Sequence, residues 1–174
     1  MRISLVVAVL AGAVALAASS AVAFNGAPPS FAGGGPWFNT DDRPLTLDGL
    51  RGKVVGVEMW TAGCINCLDV LPHLRQWNAR YHDRGFVLVG VHTPEFEHER
   101  AVPYVRDAIA RLGIAYPVVM DNDYRIWNSY HNNYWPTLYL LDKHGRVRYT
   151  HIGEGAYEET EQMISRLLAE PDGR

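Results

Sequence analysis

Two rhythms of apolar positions run along the chain after residue 37. Residues 53–60 (KVVGVEMW) and 86–92 (FVLVGVH) are nearly continuous apolar runs of β-branched character, the pattern of strands covered on both faces. Between them Leu68, Leu71, Leu74, Trp77, Asn78 and Tyr81 recur at close to helical spacing, and the pattern stops at Gly85, a fitting C-terminal cap after Arg84. A second helix is expected over residues 98–112, entered irregularly around Pro103 and closed by Gly113. Residues 117–120 are a short strand candidate, and residues 121–131 a polar, aromatic loop or short helix. Residues 137–141 and 146–152 read as a hairpin around Asp142-Lys143-His144-Gly145, and a last helix is expected from about 157 to 169. Upstream, Leu45-Thr46-Leu47 before Asp48-Gly49 looks like a short strand and turn. Parallel strand–helix–strand units followed by a terminal hairpin and helix make an α/β fold: a central mixed β-sheet with helices on both faces.

The start of the chain follows a different pattern. Arg2 precedes an apolar run to Ala18, and Ser19, Ser20, Ala21, Val22 and Ala23 supply a small-residue cleavage site, so residues 1–23 are expected to be a secretory signal peptide cut after Ala23. The run is short and Ala-rich for a membrane span, and the mature protein is expected to be soluble and exported, periplasmic or otherwise extracytoplasmic. Residues 24–36 are dominated by Gly, Pro, Ala and Ser, a composition that buries little apolar surface and reads as a flexible tether. One domain then fills residues 37–174, a length suited to a single core.

Charge narrows the partners. The formal net charge is −3, which is too small and of the wrong sign for a nucleic-acid surface, and nothing asks for an obligate dimer, so a monomer is expected. The chain has two cysteines, Cys64 and Cys67, too close together to staple distant parts of a secreted fold. A purely structural bridge across so small a loop would contribute little for its strain. The pair instead falls where a buried strand hands over to a helix. N–H groups of a helix N-terminus stabilise a thiolate, so Cys64 is the expected nucleophile. Cys67, one turn further on, can attack the mixed disulfide formed by Cys64, and the two would cycle through a redox-active disulfide.

The residues around this motif resemble the thioredoxin family, in particular its exported TlpA-like and DipZ-like branch. The likeness runs from Trp37-Phe38-Asn39-Thr40 and Pro44-Leu45-Thr46-Leu47 through Leu50-Arg51-Gly52-Lys53-Val54-Val55 and Cys64-Ile65-Asn66-Cys67-Leu68. It continues in Gly90-Val91-His92-Thr93-Pro94-Glu95-Phe96, Asp121-Asn122-Asp123-Tyr124, Tyr134-Trp135-Pro136 and Gly153-Glu154-Gly155, covering about residues 37–168. The resemblance implies a thioredoxin fold and thiol–disulfide exchange with protein clients, without a cofactor. It places Pro136 at the family's cis-proline, which sets the preceding backbone to pair with an extended polypeptide, and makes Trp135 a substrate-binding candidate. It places Pro72 at the kink of the active-site helix. Glu58, six residues before Cys64 on an otherwise apolar strand, stands where thioredoxins carry a buried acid; burial would raise its pKa and fit it for proton transfer with Cys67. In relatives the electron donor is a membrane thiol transporter resembling CcdA, and clients include apocytochrome c.

Two departures bear on the chemistry. Gly63 replaces the aromatic residue that often precedes the first cysteine, and Ile65-Asn66 supplies no positive charge, so a strongly oxidising Cys64 is not indicated and a reductase is favoured. Competing readings use the same thiols. A copper-binding chaperone could use Cys64, Cys67 and a distant histidine, since thiolates suit Cu(I), but the cysteine spacing fits exchange better. A peroxiredoxin-like peroxide reductase would want a proline where Val57 stands, although Thr61 precedes Cys64 as that chemistry needs. No metal site is assigned. His73, His92 and His131 read as structural residues before catalytic ones, and residues 95–100 (EFEHER) as a solvated helix start. The cluster Trp127, Tyr130, Tyr134 and Trp135 combines ordinary core with a possible docking surface.

Overall fold

Strand β2 (Val54–Trp60) is buried at all seven positions and organises the domain. In this computed structural model, which describes residues 29–41 and 43–172, it pairs in parallel with β3 (Phe86–His92) and antiparallel with β5 (Thr137–Leu141). Outside β3 lie β4 (Val118–Met120), parallel to it, and β1 (Trp37–Phe38), antiparallel to β4; β6 (Val147–Ile152) flanks β5. The sheet order is β1-β4-β3-β2-β5-β6. Helix α1 (Ile65–Tyr81) connects β2 to β3, and α2 (Val102–Arg111) connects β3 to β4. Right-handed crossovers that step in one direction across a sheet put both helices on one face. There α1 and α2 share a core with α4 (Tyr157–Ala169) through Leu71, Leu74, Trp77, Val105, Ile109, Ile164 and Leu167. The opposite face is covered by the short α3 (Arg125–Ser129), with Ile126 and Trp127 packed on Val57, Met59 and Val91.

Side chains alternate across a strand. Val55, Val57 and Met59 therefore meet the α3 side, while Val54 and Trp60 join the α1 side, and Glu58, lying between them in the alternation, points the same way as Trp60. The helix ends follow local chemistry. A 3-10 turn at His82–Arg84 prolongs α1 and stops at Gly85, whose φ of 94° favours a residue without a Cβ. Helix α1 passes through Pro72, which sits on its exposed side.

Three expectations change. Residues 45–47 form no strand; Leu45 and Leu47 pack as irregular chain against the α3-side core, and the short edge strand lies earlier, at Trp37–Phe38. The tether expected over 24–36 is, from residue 29 onward, part of the domain. Phe31 is 4% exposed and meets Trp37 edge-on at 5.7 Å, and the Gly35 amide donates to the Met120 carbonyl at 2.8 Å. One aromatic anchor offsets the ordering entropy that the Gly/Pro composition seemed unable to recover. The second helix is split into a 3-10 turn at Glu97–Arg100 and α2, and residues 95–100 are not uniformly solvated, since Glu99 is buried. The signal peptide expected over 1–23, its cleavage after Ala23 and residues 24–28 lie outside the described residues. Among the described residues no helix is long and apolar enough to cross a membrane.

Candidate active site at the start of helix α1

The chain leaves β2 at Trp60, turns through Thr61, Ala62 and Gly63, and enters α1 with Cys64 as its N-cap residue. Cys64 has extended backbone (φ −82°, ψ 115°), and its Sγ accepts the Cys67 amide at 3.3 Å. A sulfur in that place takes one of the amides a helix start leaves without an intrahelical partner, which is the environment that favours a thiolate. Both thiols are free; Cys64 is partly exposed and Cys67 is 4% exposed. Burial pushes the Cys67 thiol far up, with the neighbouring Cys64 and Glu58 adding to the effect. One sulfur is partly open to solvent while burial holds the other as a thiol.

Glu58 is 2% exposed, and burial raises its pKa to about 8. Its Oε1 has no hydrogen-bond partner, and it borders a cavity of about 20 Å³ lined also by Val70, Leu74, Trp77, Leu138 and Thr160. That volume has room for one water. Glu58 lies on the α1 face of the sheet, close enough to Cys67 to perturb it.

The bond between Trp135 and Pro136 is cis, and the strand register that pairs Met59 with Thr137 sets Pro136 beside the end of β2 from which the cysteine turn leaves. Pro136 is buried and its carbonyl accepts the Gly153 amide at 2.9 Å. Trp135 is half-buried. Its Nε1 donates to the Thr93 carbonyl at 3.1 Å, and its ring lies 4.3 Å from that of Trp127. Thr93 is tied in turn to Asp121, whose carboxylate also accepts the Ile126 and Trp127 amides and so holds the start of α3. Of the aromatic cluster, Trp127 and Tyr130 are core, whereas Tyr134 is exposed beside the proline. Phe96 and Ile65 are exposed as well.

The histidines separate. His92 is fully buried; its Nε2 accepts the Ala62 amide at 3.4 Å, its ring stands edge-on to Trp60 at 5.0 Å, and burial lowers its pKa to about 4. His73 stacks on Tyr157 at 3.5 Å, and His131 is exposed ahead of the proline loop.

Sequence reasoning missed Glu99. This carboxylate is 0% exposed, with Oε1 accepting the Gly63 amide at 2.9 Å and Oε2 accepting the amides of Glu95 at 2.7 Å and Phe96 at 3.0 Å. Thr61 approaches the same carboxylate without closing a hydrogen bond of ordinary geometry. Burial pushes the Glu99 pKa up, but these contacts outweigh it and hold the acid below the usual carboxylate range. A Cβ on Gly63 would lie 2.7 Å from Glu99 Oε1, so the glycine that departs from the family pattern is the partner of this acid. The one signal in the sequence was that glycine. Among the described residues, no three His, Cys, Asp or Glu side chains are grouped to hold a metal ion.

The sheet order, with the cysteine pair where β2 hands over to α1, is that of the thioredoxin fold. The chain matches the Redoxin family over residues 23–167 and belongs to it. It is 43% identical over 144 residues to protein DipZ of Mycobacterium bovis, covering 82% of this chain and 21% of DipZ, so it spans about a fifth of that relative's length. It is 27% identical to thiol-disulfide oxidoreductase YkuV of Bacillus subtilis, over 83% of this chain and 95% of YkuV. Among solved structures, a thioredoxin-like superfamily protein, SPOA0173, superimposes with a TM-score of 0.73 at 27% identity, covering 78% of this chain and 92% of its own. A thiol:disulfide interchange protein DsbE from Chlorobium tepidum gives 0.66 at 25%, covering 72% and 86%.

Proposed function

We propose that this chain is an exported reductant of protein disulfides. The observation that carries the reading is the asymmetry of the pair: Cys64 partly exposed as the cap of α1, Cys67 buried above a neutral acid. Cys64, as thiolate, attacks one sulfur of a client disulfide; that bond breaks, a mixed disulfide forms, and the other client sulfur leaves as a thiolate that takes a proton from water. Cys67 gives its proton to the ionised form of Glu58 and attacks the Cys64 sulfur, releasing the second client sulfur, which is protonated in turn. The client gains two electrons and two protons, and the chain is left with a Cys64–Cys67 disulfide. A separate thiol donor returns it to the reduced form.

Trp135 and Pro136 are proposed to bind the client as an extended segment beside Cys64, with Tyr134 exposed next to them. Family likeness supports a membrane thiol transporter resembling CcdA as donor, and clients such as apocytochrome c. The test is trapping. Cys67→Ser, incubated with insulin as the disulfide substrate, should accumulate a mixed disulfide at Cys64, whereas Cys64→Ser should form none and lose turnover. Full activity in Cys64→Ser would refute the assignment.

A further inference from the structure

Glu99 takes no part in the exchange just described, yet its carboxylate reaches the turn that carries Cys64. It lies on the 3-10 turn between β3 and α2 and is buried completely. A buried carboxylate is tolerated where hydrogen bonds replace water, and here three backbone amides do so. Two of them belong to its own connection, Glu95 and Phe96, and the third is that of Gly63, the residue immediately before Cys64. One side chain therefore ties the β3–α2 connection to the β2–α1 turn. The preceding amide, Ala62, is held by His92 from the end of β3, so successive N–H groups ahead of the nucleophile are committed to side chains rather than to its sulfur.

The charge beside this turn follows from the same contacts. His92, facing it from β3, is neutral above about pH 4 because it is buried. Glu58, beneath the pair on β2, is neutral until about pH 8, and Cys67 on α1 is kept a thiol by burial. Trp135 and Pro136, on the neighbouring proline loop, carry no titratable group. Near neutral pH Glu99 is thus an anion one peptide from Cys64, opposing the pull that the N-terminus of α1 exerts on a thiolate. Its fit depends on Gly63, since a Cβ there would press on Oε1 at 2.7 Å.

We infer that Glu99 is a positioning residue for the exchange reaction: by taking the Gly63 amide and standing as an anion beside it, Glu99 fixes the turn before Cys64 and restrains its thiolate. This rests on Cys64 being the nucleophile and is independent of the redox direction. The pH profile of Cys64 alkylation by iodoacetamide in the full chain tests it. Glu99→Gln removes the charge at nearly constant shape, and its profile should move to lower pH by about one unit with the same plateau rate. A profile superimposed on that of the unaltered chain overturns the inference, even if Cys64 still exchanges disulfides. A second pair of variants reads the contact without neutralising it. Gly63→Ala should slow insulin reduction, and Gly63→Ala with Glu99→Asp, which draws the carboxylate back by one methylene, should recover part of the loss. Should E99Q fail to fold, this pair decides the matter: losses that merely add would overturn the coupling.

Discussion

Glu58 bears two opposite demands, one on stability and one on chemistry. Its carboxyl is neutral in the folded chain up to about pH 8, whereas in the unfolded chain it ionises near 4.5. A group whose folded pKa is raised contributes stability that is complete below the unfolded value and lost as pH climbs through the folded one. Between those two pH values the folded state should therefore lose about 1.4 kcal/mol per pH unit from this residue. Glu58→Gln should flatten that part of the stability profile in urea denaturation, and an unchanged slope would show that Glu58 is not the group responsible. In the proposed mechanism the same raised pKa makes the ionised form of Glu58 a ready acceptor for the Cys67 proton. Glu58 was legible in the sequence because one acid in an apolar strand is conspicuous. Glu99 was not: in EFEHER it is one of three acids, and its burial comes from Gly63, brought beside it by the crossover of two parallel strands.

At the level of elements, long periodic segments could be read and short ones could not. The two central strands, the helix between them, the hairpin and α4 are each long enough for their pattern to stand above noise. A two-residue strand such as β1 has no period, and it exists because Trp37 and Phe38 find Val119 and Val118 across the sheet edge. Residues 45–47 alternate like a strand but find no partner and stay irregular. The segment before β1 makes the same point energetically. Its Gly/Pro composition indicates a tether, yet Phe31 is inserted between Trp37 and the α3-side core. Phe31→Ala should cost about 3 kcal/mol of unfolding free energy, the low end for a buried phenylalanine, read from the urea midpoint at constant slope. No measurable change would mean that residues 29–36 behave as the flexible tether their composition describes.

The whole molecule places its chemistry at one end of a mixed sheet. Both parallel connections lead through helices on one face, so the carboxyl ends of β2 and β3, which carry the cysteine turn and His92, lie side by side. Ligand sites collect at that end of open α/β sheets. The antiparallel strand β5 begins at the same end, which brings Pro136 beside it without any sequence proximity. Topology therefore assembles the cysteine pair, the buried acid beneath it, the proline loop and the Glu99 contact from four separate stretches. No cationic side chain is hydrogen-bonded or ion-paired to either cysteine among the described residues. On the proposed reading, a helix-capping thiolate without a cationic partner is stabilised less than one beside a cation would be, which agrees with a chain that gives electrons away. The reduction potential of the Cys64–Cys67 pair, obtained by equilibrating the protein with defined dithiothreitol and glutathione ratios and counting free thiols, measures this directly. The account predicts a value in the neighbourhood of thioredoxin's, about −270 mV, whereas a value near −120 mV would mark an oxidant and contradict it.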